Sequence, residues 1–255
     1  MIQRVKKVKI KDYTGKCPNY FYKRYSKSKD CYFYPDIIVL HNTGGYNISS
    51  AHYWFLNEES QTSAHYLIGL DGEVRQYVRL TDGSYCNGTS SNPNSKAFYK
   101  TATNEIVKER EYNANFYTVS IEFVGDVGDR LTVQQLTAAV DLIEYINTQL
   151  EKLYGVTIPY DRKHIIGHYE INPKSRATCG VNIQFDEILK RLNKEPEKNE
   201  LSEKVGQLEE SKEVEESEKV EQIEKPNLKP KPNLLNNKER YQNLFIKKLI
   251  KRIKK

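Results

Sequence analysis

Hydrophobic residues are concentrated in five short runs within the first three quarters of the chain. The runs cover residues 36–40, 64–69, 73–78, 118–124 and 164–167. Their length and their content of β-branched and aromatic residues predict β-strands. The first run, DIIVL, is apolar almost throughout, which favours a strand that is covered on both faces. Asp71 and Gly72 separate the second run from the third and predict a hairpin turn between them.

Helical periodicity replaces the strand-like pattern after the fourth run. Apolar residues recur at i, i+3 and i+4 through VQQLTAAVDLIEYINTQLEKLY, which predicts one long amphipathic helix. Thr132 is its expected N-cap, and Gly155 marks its expected end. Shorter helices are predicted over residues 50–57 and 183–192. The alternation of strands and helices indicates an α/β fold in which a mixed central β-sheet is flanked by helices.

The apolar pattern stops near residue 193, and charged residues replace it. From Lys194 to Lys225 there are twelve Glu and six Lys, so this stretch has few apolar groups to bury and is typical of a solvated linker. Three prolines follow and predict an extended continuation. The pattern therefore predicts a folded domain over residues 1–193 and an acidic, then Pro-rich linker over residues 194–236.

The last segment, residues 237–255, combines helical spacing with strong positive charge. Its apolar residues recur at helical intervals, and from Lys238 to Lys255 there are eight basic residues and one acidic residue. Such a basic amphipathic helix suits an anionic wall polymer or a membrane surface. A solvated basic tail is the alternative. The net charge of the whole chain, +6, is modest, and we expect no nucleic-acid partner.

Several protein classes are disfavoured by the sequence. No run of about 18 consecutive apolar residues is present, so a membrane-spanning protein is not predicted. The N-terminal residues MIQRVKKVKIKDY lack an apolar core long enough for a signal peptide, so we expect cytoplasmic synthesis. The four cysteines show neither CxxC pairing nor framework spacing, which argues against a disulfide scaffold and against a zinc ribbon.

Three residues of metal-binding type follow the predicted strands. His41 comes directly after DIIVL, His168 follows the run 164–167, and Cys179 lies eleven residues later in a loop. The ends of neighbouring strands in an α/β sheet face the cleft in which ligands bind. Two His and one Cys would hold a zinc ion and leave its fourth position for water, as in catalytic sites. Spacing alone leaves open the ordinary roles of a hydrogen-bonded histidine and a buried thiol.

Four segments resemble, in order and spacing, those of a known family. They are IIVLHNTGG (37–45), TSAHYLIGLDGEVRQYV (62–78), VSIEFVG (119–125) and IIGHYEINPKSRATCG (165–180). Over residues 36–192 the chain is similar to the zinc-dependent N-acetylmuramoyl-L-alanine amidases, which include amidase-type phage lysozymes and peptidoglycan recognition proteins. The resemblance implies a peptidoglycan hydrolase that uses Zn²⁺ to cut the amide bond between N-acetylmuramic acid and the L-alanine of the stem peptide.

The resemblance also implies roles for individual residues. His41, His168 and Cys179 would hold the zinc ion, Glu122 would be the general base, and Arg176 would stabilise the developing oxyanion. Three features differ from the family pattern. Gly-Val follows Cys179 where the family has Pro-Gly, the gap from Arg176 to Cys179 is one residue longer than is common, and an arginine stands at position 176 where lysine is usual. A Glu122 that only orients a metal-bound histidine is the alternative for that residue.

Further expectations concern the biological setting. An enzyme made in the cytoplasm reaches the wall only after release, as a phage or prophage endolysin does. The alternatives are a recognition module that binds peptidoglycan without cutting it, and a zinc peptidase that cuts within the stem peptide. Residues 81–115 are expected to wall the substrate groove. His65 is expected beside the metal ligands or in the groove wall, and Cys86 either lines the groove or is inert.

Overall fold

The computed structural model describes residues 8–194 of the chain. These residues belong to the first of two units, Met1–Pro196 and Glu197–Lys255. The predicted linker after Lys194 and the predicted basic tail over residues 237–255 lie outside the described residues. Within the described part, every helix is too short or too polar to cross a membrane.

Residues 8–194 form ten strands and five α-helices. The strands are β1 (Ile10–Asp12), β2 (Tyr20–Phe21), β3 (Tyr25–Ser26), β4 (Cys31–Tyr32), β5 (Ile37–Asn42), β6 (Tyr66–Ile68), β7 (Val74–Gln76), β8 (Gly83–Ser84), β9 (Thr118–Phe123) and β10 (Ile165–Gly167). The helices are α1 (Ile48–Leu56), α2 (Glu105–Arg110), α3 (Val133–Tyr154), α4 (His168–Ile171) and α5 (Phe185–Leu192).

Six of these strands form one mixed sheet in the order β1-β7-β6-β9-β5-β10. β5 runs parallel to both of its neighbours, β9 and β10. β6 and β7 form the antiparallel hairpin that the sequence predicts, and Gly72 in its turn has a φ of 83°, which favours glycine. The other four strands form the short pairs β2–β8 and β3–β4. The predicted α/β architecture, a mixed sheet flanked by helices, is confirmed.

The side chains of β5 alternate between two hydrophobic cores. Ile38 and Leu40 belong to the core that contains the apolar face of α3. Ile37 and Val39 belong to the core on the opposite face, which includes Val107 of α2. All six side chains of the strand are buried, as the apolar run predicts. Because alternate strand residues share a face, the side chain after Leu40 turns away from α3.

The long helix α3 begins and ends at the predicted residues. The side chain of Thr132 accepts a hydrogen bond from the backbone N–H of Gln135, and the side chain of Gln135 accepts one from the backbone N–H of Thr132. This capping box satisfies two N–H groups that would otherwise lack partners. Gly155 ends the helix with a φ of 70°, in the left-handed region.

We expect Leu142→Ala to lower the free energy of unfolding by about 2–5 kcal/mol, because Leu142 is completely buried between α3 and the sheet and its truncation leaves a cavity. Leu153→Ala is the matched control, since Leu153 lies on the same helix with 49% of its surface exposed. Leu153→Ala should change the free energy of unfolding by no more than about 0.5 kcal/mol. Urea denaturation of both variants measures the difference, and equal losses would contradict the position of the core.

Candidate active site

The central strands place His41 beside Glu122. β5 and β9 pair in parallel with these two residues opposite each other. Both side chains lie on the sheet face that is opposite to the α3 core, because their neighbours in sequence point toward α3. The imidazole of His41 is 1% exposed and the side chain of Glu122 is 13% exposed. Nδ1 of His41 lies 3.8 Å from Oε1 of Glu122.

The neighbouring strand β10 brings His168 to the same place. β10 pairs with β5 so that Gly167 lies opposite Leu40, and His168 follows as the first residue of the short helix α4. The ring centroids of His41 and His168 are 4.5 Å apart. The predicted convergence of two histidines at the ends of neighbouring strands is therefore present in the fold.

A folded loop after α4 returns Cys179 to the two histidines. The backbone N–H of Arg176 donates to the carbonyl of Asn172 (2.8 Å), and that of Cys179 donates to the carbonyl of Arg176 (3.0 Å). The carbonyl of Cys179 accepts from the backbone N–H of Tyr169 (3.2 Å), which ties the loop to α4. As a result, the buried Sγ of Cys179 lies 3.7 Å from Nδ1 of His41.

Gly180 fixes the position of this loop against the sheet. Its φ is 84°, and a Cβ on this residue would lie 2.7 Å from the carbonyl oxygen of Leu40. That distance is shorter than any normal contact, and the oxygen belongs to the backbone of β5, so it has little freedom to move. Any side chain at this position would therefore push the Cys179 loop away from His41.

We expect Gly180→Ala to lower the free energy of unfolding by about 2 kcal/mol, because it adds left-handed strain to the steric clash. The measurement is chemical denaturation. Gly128→Ala is the control, because nothing lies within 4 Å of a Cβ at Gly128 and its φ is not positive. Equal stability of the two variants would contradict the close packing of the loop on β5.

The three predicted metal-binding residues come together in the fold. One ligand atom each from His41, His168 and Cys179 lies within 4.8 Å of the other two. Around tetrahedral zinc, neighbouring N and S ligands are about 3.5 Å apart, close to the 3.7 Å between Nδ1 of His41 and Sγ of Cys179. Two imidazoles and one thiolate are a donor set that zinc prefers.

Unpartnered polar atoms surround this group. Among residues 8–194, five buried side-chain atoms have no hydrogen-bond partner, and four belong to residues around the centre: Oδ1 of Asn42, Oδ1 of Asn87, Oε2 of Glu122 and Oδ1 of Asn172. Buried polar atoms without partners are rare in folded proteins because each costs free energy. Their concentration here indicates a place that binds a polar ligand or ion, so the residues fit a metal centre.

A cleft of about 670 Å³ opens over these residues. Its lining includes the three predicted metal ligands, Glu122 and Arg176. The stretch 81–115 contributes five further lining residues, which confirms the expectation that it walls the groove. A second cleft of about 550 Å³ runs along α1 and shares Glu122 with the first. Glu122 therefore lies where the two clefts meet.

The family model described as N-acetylmuramoyl-L-alanine amidase matches residues 32–181. The chain belongs to this family. The matched region contains the three predicted metal ligands, Glu122 and Arg176. No curated protein sequence matches the chain. The protein is thus an amidase of the kind that acts on peptidoglycan, as the sequence motifs predict.

Several solved structures are similar to this amidase in fold. The N-acetylmuramoyl-L-alanine amidase LysC from Clostridium intestinale is 19% identical and covers 73% of this chain and 99% of its own, with a TM-score of 0.47. A selenomethionine derivative of AmpD is 18% identical, with coverages of 75% and 98% and a TM-score of 0.49. The Staphylococcus aureus hydrolase AmiA, in complex with its ligand, is 17% identical, with coverages of 74% and 83% and a TM-score of 0.45.

Burial controls the protonation of the groups in the amidase cleft. It lowers the pKa of His41 to about 3 and holds the pKa of His168 well below its ordinary value, so both imidazoles are neutral. The neutral imidazole is the form that binds metals. Burial also raises the pKa of Cys179 to about 12 and the pKa of Glu122 to about 7. A thiol in this position requires a nearby cation to become a thiolate.

Arg176 lies at the rim of the cleft. Its side chain is exposed, and Nη1 donates a hydrogen bond to the carbonyl of Ser175 (3.3 Å). The guanidinium charge still reaches the centre: it adds to the lowering of the pKa of His41 by burial and offsets part of the rise in the pKa of Glu122 that burial causes. Arg176 thus lines the same cleft as the predicted metal ligands, with its side chain on the solvent side.

His65 is a buried structural residue in the amidase fold. It is completely buried, and its Nε2 lies 2.7 Å from Nη2 of Arg24 and 3.0 Å from the carbonyl of Asp82. Its Nδ1 lies 3.1 Å from Oγ of Ser120 on β9. His65 belongs to neither group of potential metal ligands among the described residues, and it lines neither cleft. A completely buried side chain that lines neither cleft is not part of the groove wall, which was one of the two positions expected for His65.

Sequence reasoning missed some residues of the site. Asn172 was assigned no role, yet its side-chain amide lies 3.4 Å from Nε2 of His168 and donates to the carbonyl of Gly88 (3.1 Å). For Cys86 the sequence allows either a groove-lining role or an inert one. Its Sγ lies 3.6 Å from Nε2 of His41 and lines the cleft. The contacts of Asn172 with Gly88 and of Cys86 with His41 join residues far apart in sequence, so no local pattern signals them.

Proposed function

We propose that this amidase is zinc-dependent and hydrolyses the amide bond between N-acetylmuramic acid and the L-alanine of the stem peptide. The observation that supports it is the meeting of His41, His168 and Cys179 in one cleft, with Glu122 beside them. A zinc ion bound by the three residues would supply Lewis-acid polarisation of a carbonyl and would make water acidic near neutral pH.

The protein's own residues would handle the proton and the negative charge. Oε2 of Glu122, which has no protein partner, is in the position to accept a proton from the attacking water and to return it to the amine of L-alanine as the C–N bond breaks. Arg176 would face the oxygen of the lactyl carbonyl from the rim of the cleft. Water adds to the carbonyl carbon, so the products are a lactyl carboxylate and a free amine.

The groove fits a polymeric substrate. The cleft over the metal-binding residues continues at Glu122 into the second cleft along α1. Trp54 lines that second cleft and is 54% exposed, so its ring is available to pack against a sugar face. A substrate that extends in both directions would therefore have its reacting bond near Glu122.

The products decide between this proposal and its alternatives. Purified peptidoglycan treated with the enzyme should release stem peptides with a free N-terminal L-alanine and glycans with unsubstituted lactyl groups, as mass spectrometry would detect. A peptidase would instead create new termini within the stem peptide. A recognition module would bind the wall and release nothing. Either of these outcomes would contradict the proposal.

We expect Arg176→Ala to reduce kcat about 100-fold with little change in metal content. Removal of one oxyanion donor typically costs about 10²–10³ in kcat, and the exposure of Arg176 favours the lower end. Arg176→Lys should retain most of the activity, because it keeps the charge at the same place. The measurement is the rate of amine release from purified wall. Equal rates for Arg176→Ala and the unaltered enzyme would remove Arg176 from the mechanism.

We also propose that the enzyme is a phage or prophage endolysin whose basic segment, residues 237–255, attaches it to an anionic wall polymer or membrane surface. The charge and apolar spacing of that segment support attachment. Deleting residues 233–255 should reduce the fraction of the enzyme that pellets with cell walls. Unchanged pelleting would contradict attachment through the basic segment.

The endolysin role is tested by expression of the enzyme inside the host. Cells should lyse only when a pore-forming holin is expressed as well, and lysis without one would contradict the endolysin role.

A further inference from the structure

Cys86 is a thiol of the active-site cleft that the proposed reaction does not use. It lies partly buried in the loop after β8, next to the same histidine that contacts Cys179. Its Sγ is 3.6 Å from Nε2 and 3.8 Å from Nδ1 of His41. It is also 3.5 Å from Oε1 of Glu122. Cys86 therefore contacts two residues that bear the chemistry of the site.

The loop holds Cys86 firmly in this position. The backbone N–H groups of Cys86 and Asn87 both donate to Oδ1 of Asn115 (3.2 Å and 2.6 Å). On the other side, the backbone N–H of Tyr85 donates to Oγ of Ser63 (2.9 Å). These bonds fix the backbone before and after the thiol, so its contact with His41 and Glu122 follows from the fold.

The separations match those of ligands around one metal ion. With Zn–S near 2.3 Å and Zn–N and Zn–O near 2.0–2.1 Å, tetrahedral coordination sets neighbouring ligand atoms about 3.5 Å apart. Sγ of Cys86 lies 3.8 Å from Nδ1 of His41 and 3.5 Å from Oε1 of Glu122, and both distances are close to this value. His41, Cys86 and Glu122 form a second group whose ligand atoms lie within 4.8 Å of one another.

We propose that His41, Cys86 and Glu122 form a second binding position for a thiophilic divalent ion such as Zn²⁺, Co²⁺ or Cd²⁺, which competes for His41 with the position formed by His41, His168 and Cys179. A neutral imidazole offers only one acceptor nitrogen. Nδ1 of His41 lies 3.7 Å from Sγ of Cys179 and 3.8 Å from both Sγ of Cys86 and Oε1 of Glu122. The same nitrogen would therefore be a ligand in both positions. These two positions, both within residues 8–194, would therefore hold one ion between them at a time.

This second position is inactive in the proposed reaction. An ion there would occupy the Glu122 carboxylate, which the proposed function requires as a base, and would leave His168 and Cys179 without a metal. That consequence rests on the proposed function, whereas the binding of an ion by Cys86 does not. The test is therefore a measurement of metal ligation rather than of catalysis.

Cobalt titration of the metal-free full-length protein distinguishes the two positions, because a thiolate bound to Co²⁺ gives a charge-transfer absorption. Cys179→Ser should keep this absorption at the strength of one thiolate, and Cys179→Ser combined with Cys86→Ser should lose it. Cys179→Ser combined with Cys31→Ser is the matched control and should behave as Cys179→Ser alone, because Cys31 lies outside both groups. Equal spectra for Cys179→Ser with and without Cys86→Ser would overturn the proposal.

A second pair of variants covers the case in which Cys179→Ser does not fold. His168→Ala removes a ligand of the first position only, so it should also keep a Cys86-dependent thiolate absorption that disappears in His168→Ala with Cys86→Ser. Metal analysis after gel filtration should give about one ion per chain for the unaltered protein. Two ions per chain would overturn the competition for His41. Amide hydrolysis is assayed separately, so loss of the proposed function would leave these results interpretable.

Discussion

Cys179→Ala is expected to reduce the release of L-alanine amine from purified wall by at least about a thousandfold. The thiol is one of three groups that meet in the cleft, and its Sγ lies 3.7 Å from Nδ1 of His41. Without it, two imidazoles remain to hold an ion in the catalytic position. A metal ion in such a site contributes several kcal/mol to stabilising the transition state, and about 4 kcal/mol corresponds to a thousandfold change in rate.

The dependence of the activity on metal is measured in the same assay, for both Cys179→Ala and the unaltered enzyme. A chelator should abolish the activity of the unaltered enzyme, and added Zn²⁺ should restore it, whereas Cys179→Ala should stay inactive at every Zn²⁺ concentration. An ion captured by Cys86 would not restore it, because that position blocks Glu122. Cys31→Ser is the control for general effects of cysteine replacement, since Cys31 is part of the short strand β4. Lysis by Cys179→Ala at the rate of the unaltered enzyme would eliminate the proposed zinc chemistry.

The placement of the metal-binding residues was predictable because it depends on strong local signals. DIIVL is long and apolar enough to indicate a buried strand, and the carboxyl end of a buried parallel strand, where His41 lies in β5, is at the edge where ligands bind. The hairpin at Asp71-Gly72 and the capping box of Thr132 are also local, since each involves residues close in sequence. These local signals suffice for the fold, whereas the choice of His41, His168 and Cys179 as ligands also needed the resemblance of four segments to the family.

Other parts of the site depend on contacts between distant residues. Cys86 meets His41 across 45 positions of sequence, and Asn172 meets Gly88 across 84. The strands β2 and β8 contain two residues each. They are far apart in sequence and pair only because the tertiary fold brings them together. Two residues are too few for a period-two pattern to be visible. These features follow from tertiary structure, so one sequence carries no sign of them.

Glu122→Gln is expected to lower kcat by about 10²–10⁴, the usual contribution of a positioned general base. The amide has the shape of the carboxylate but does not accept a proton from water at neutral pH. The three proposed metal-binding residues are unchanged, so metal content should remain near that of the unaltered enzyme. The rate of amine release and the metal analysis, measured on the same preparation, test both statements.

The alternative role for Glu122, orientation of a metal-bound histidine, predicts a different result. Loss of such an orienting carboxylate typically weakens metal binding about 10–100-fold. The geometry favours the base, because Oε1 of Glu122 is 3.8 Å from Nδ1 of His41, which is too far for a hydrogen bond. Glu111→Gln, which alters an exposed glutamate paired with Lys100, is the matched control and should leave both quantities unchanged. Weakened metal binding in Glu122→Gln, with kcat restored by excess Zn²⁺, would assign Glu122 to positioning instead of proton transfer.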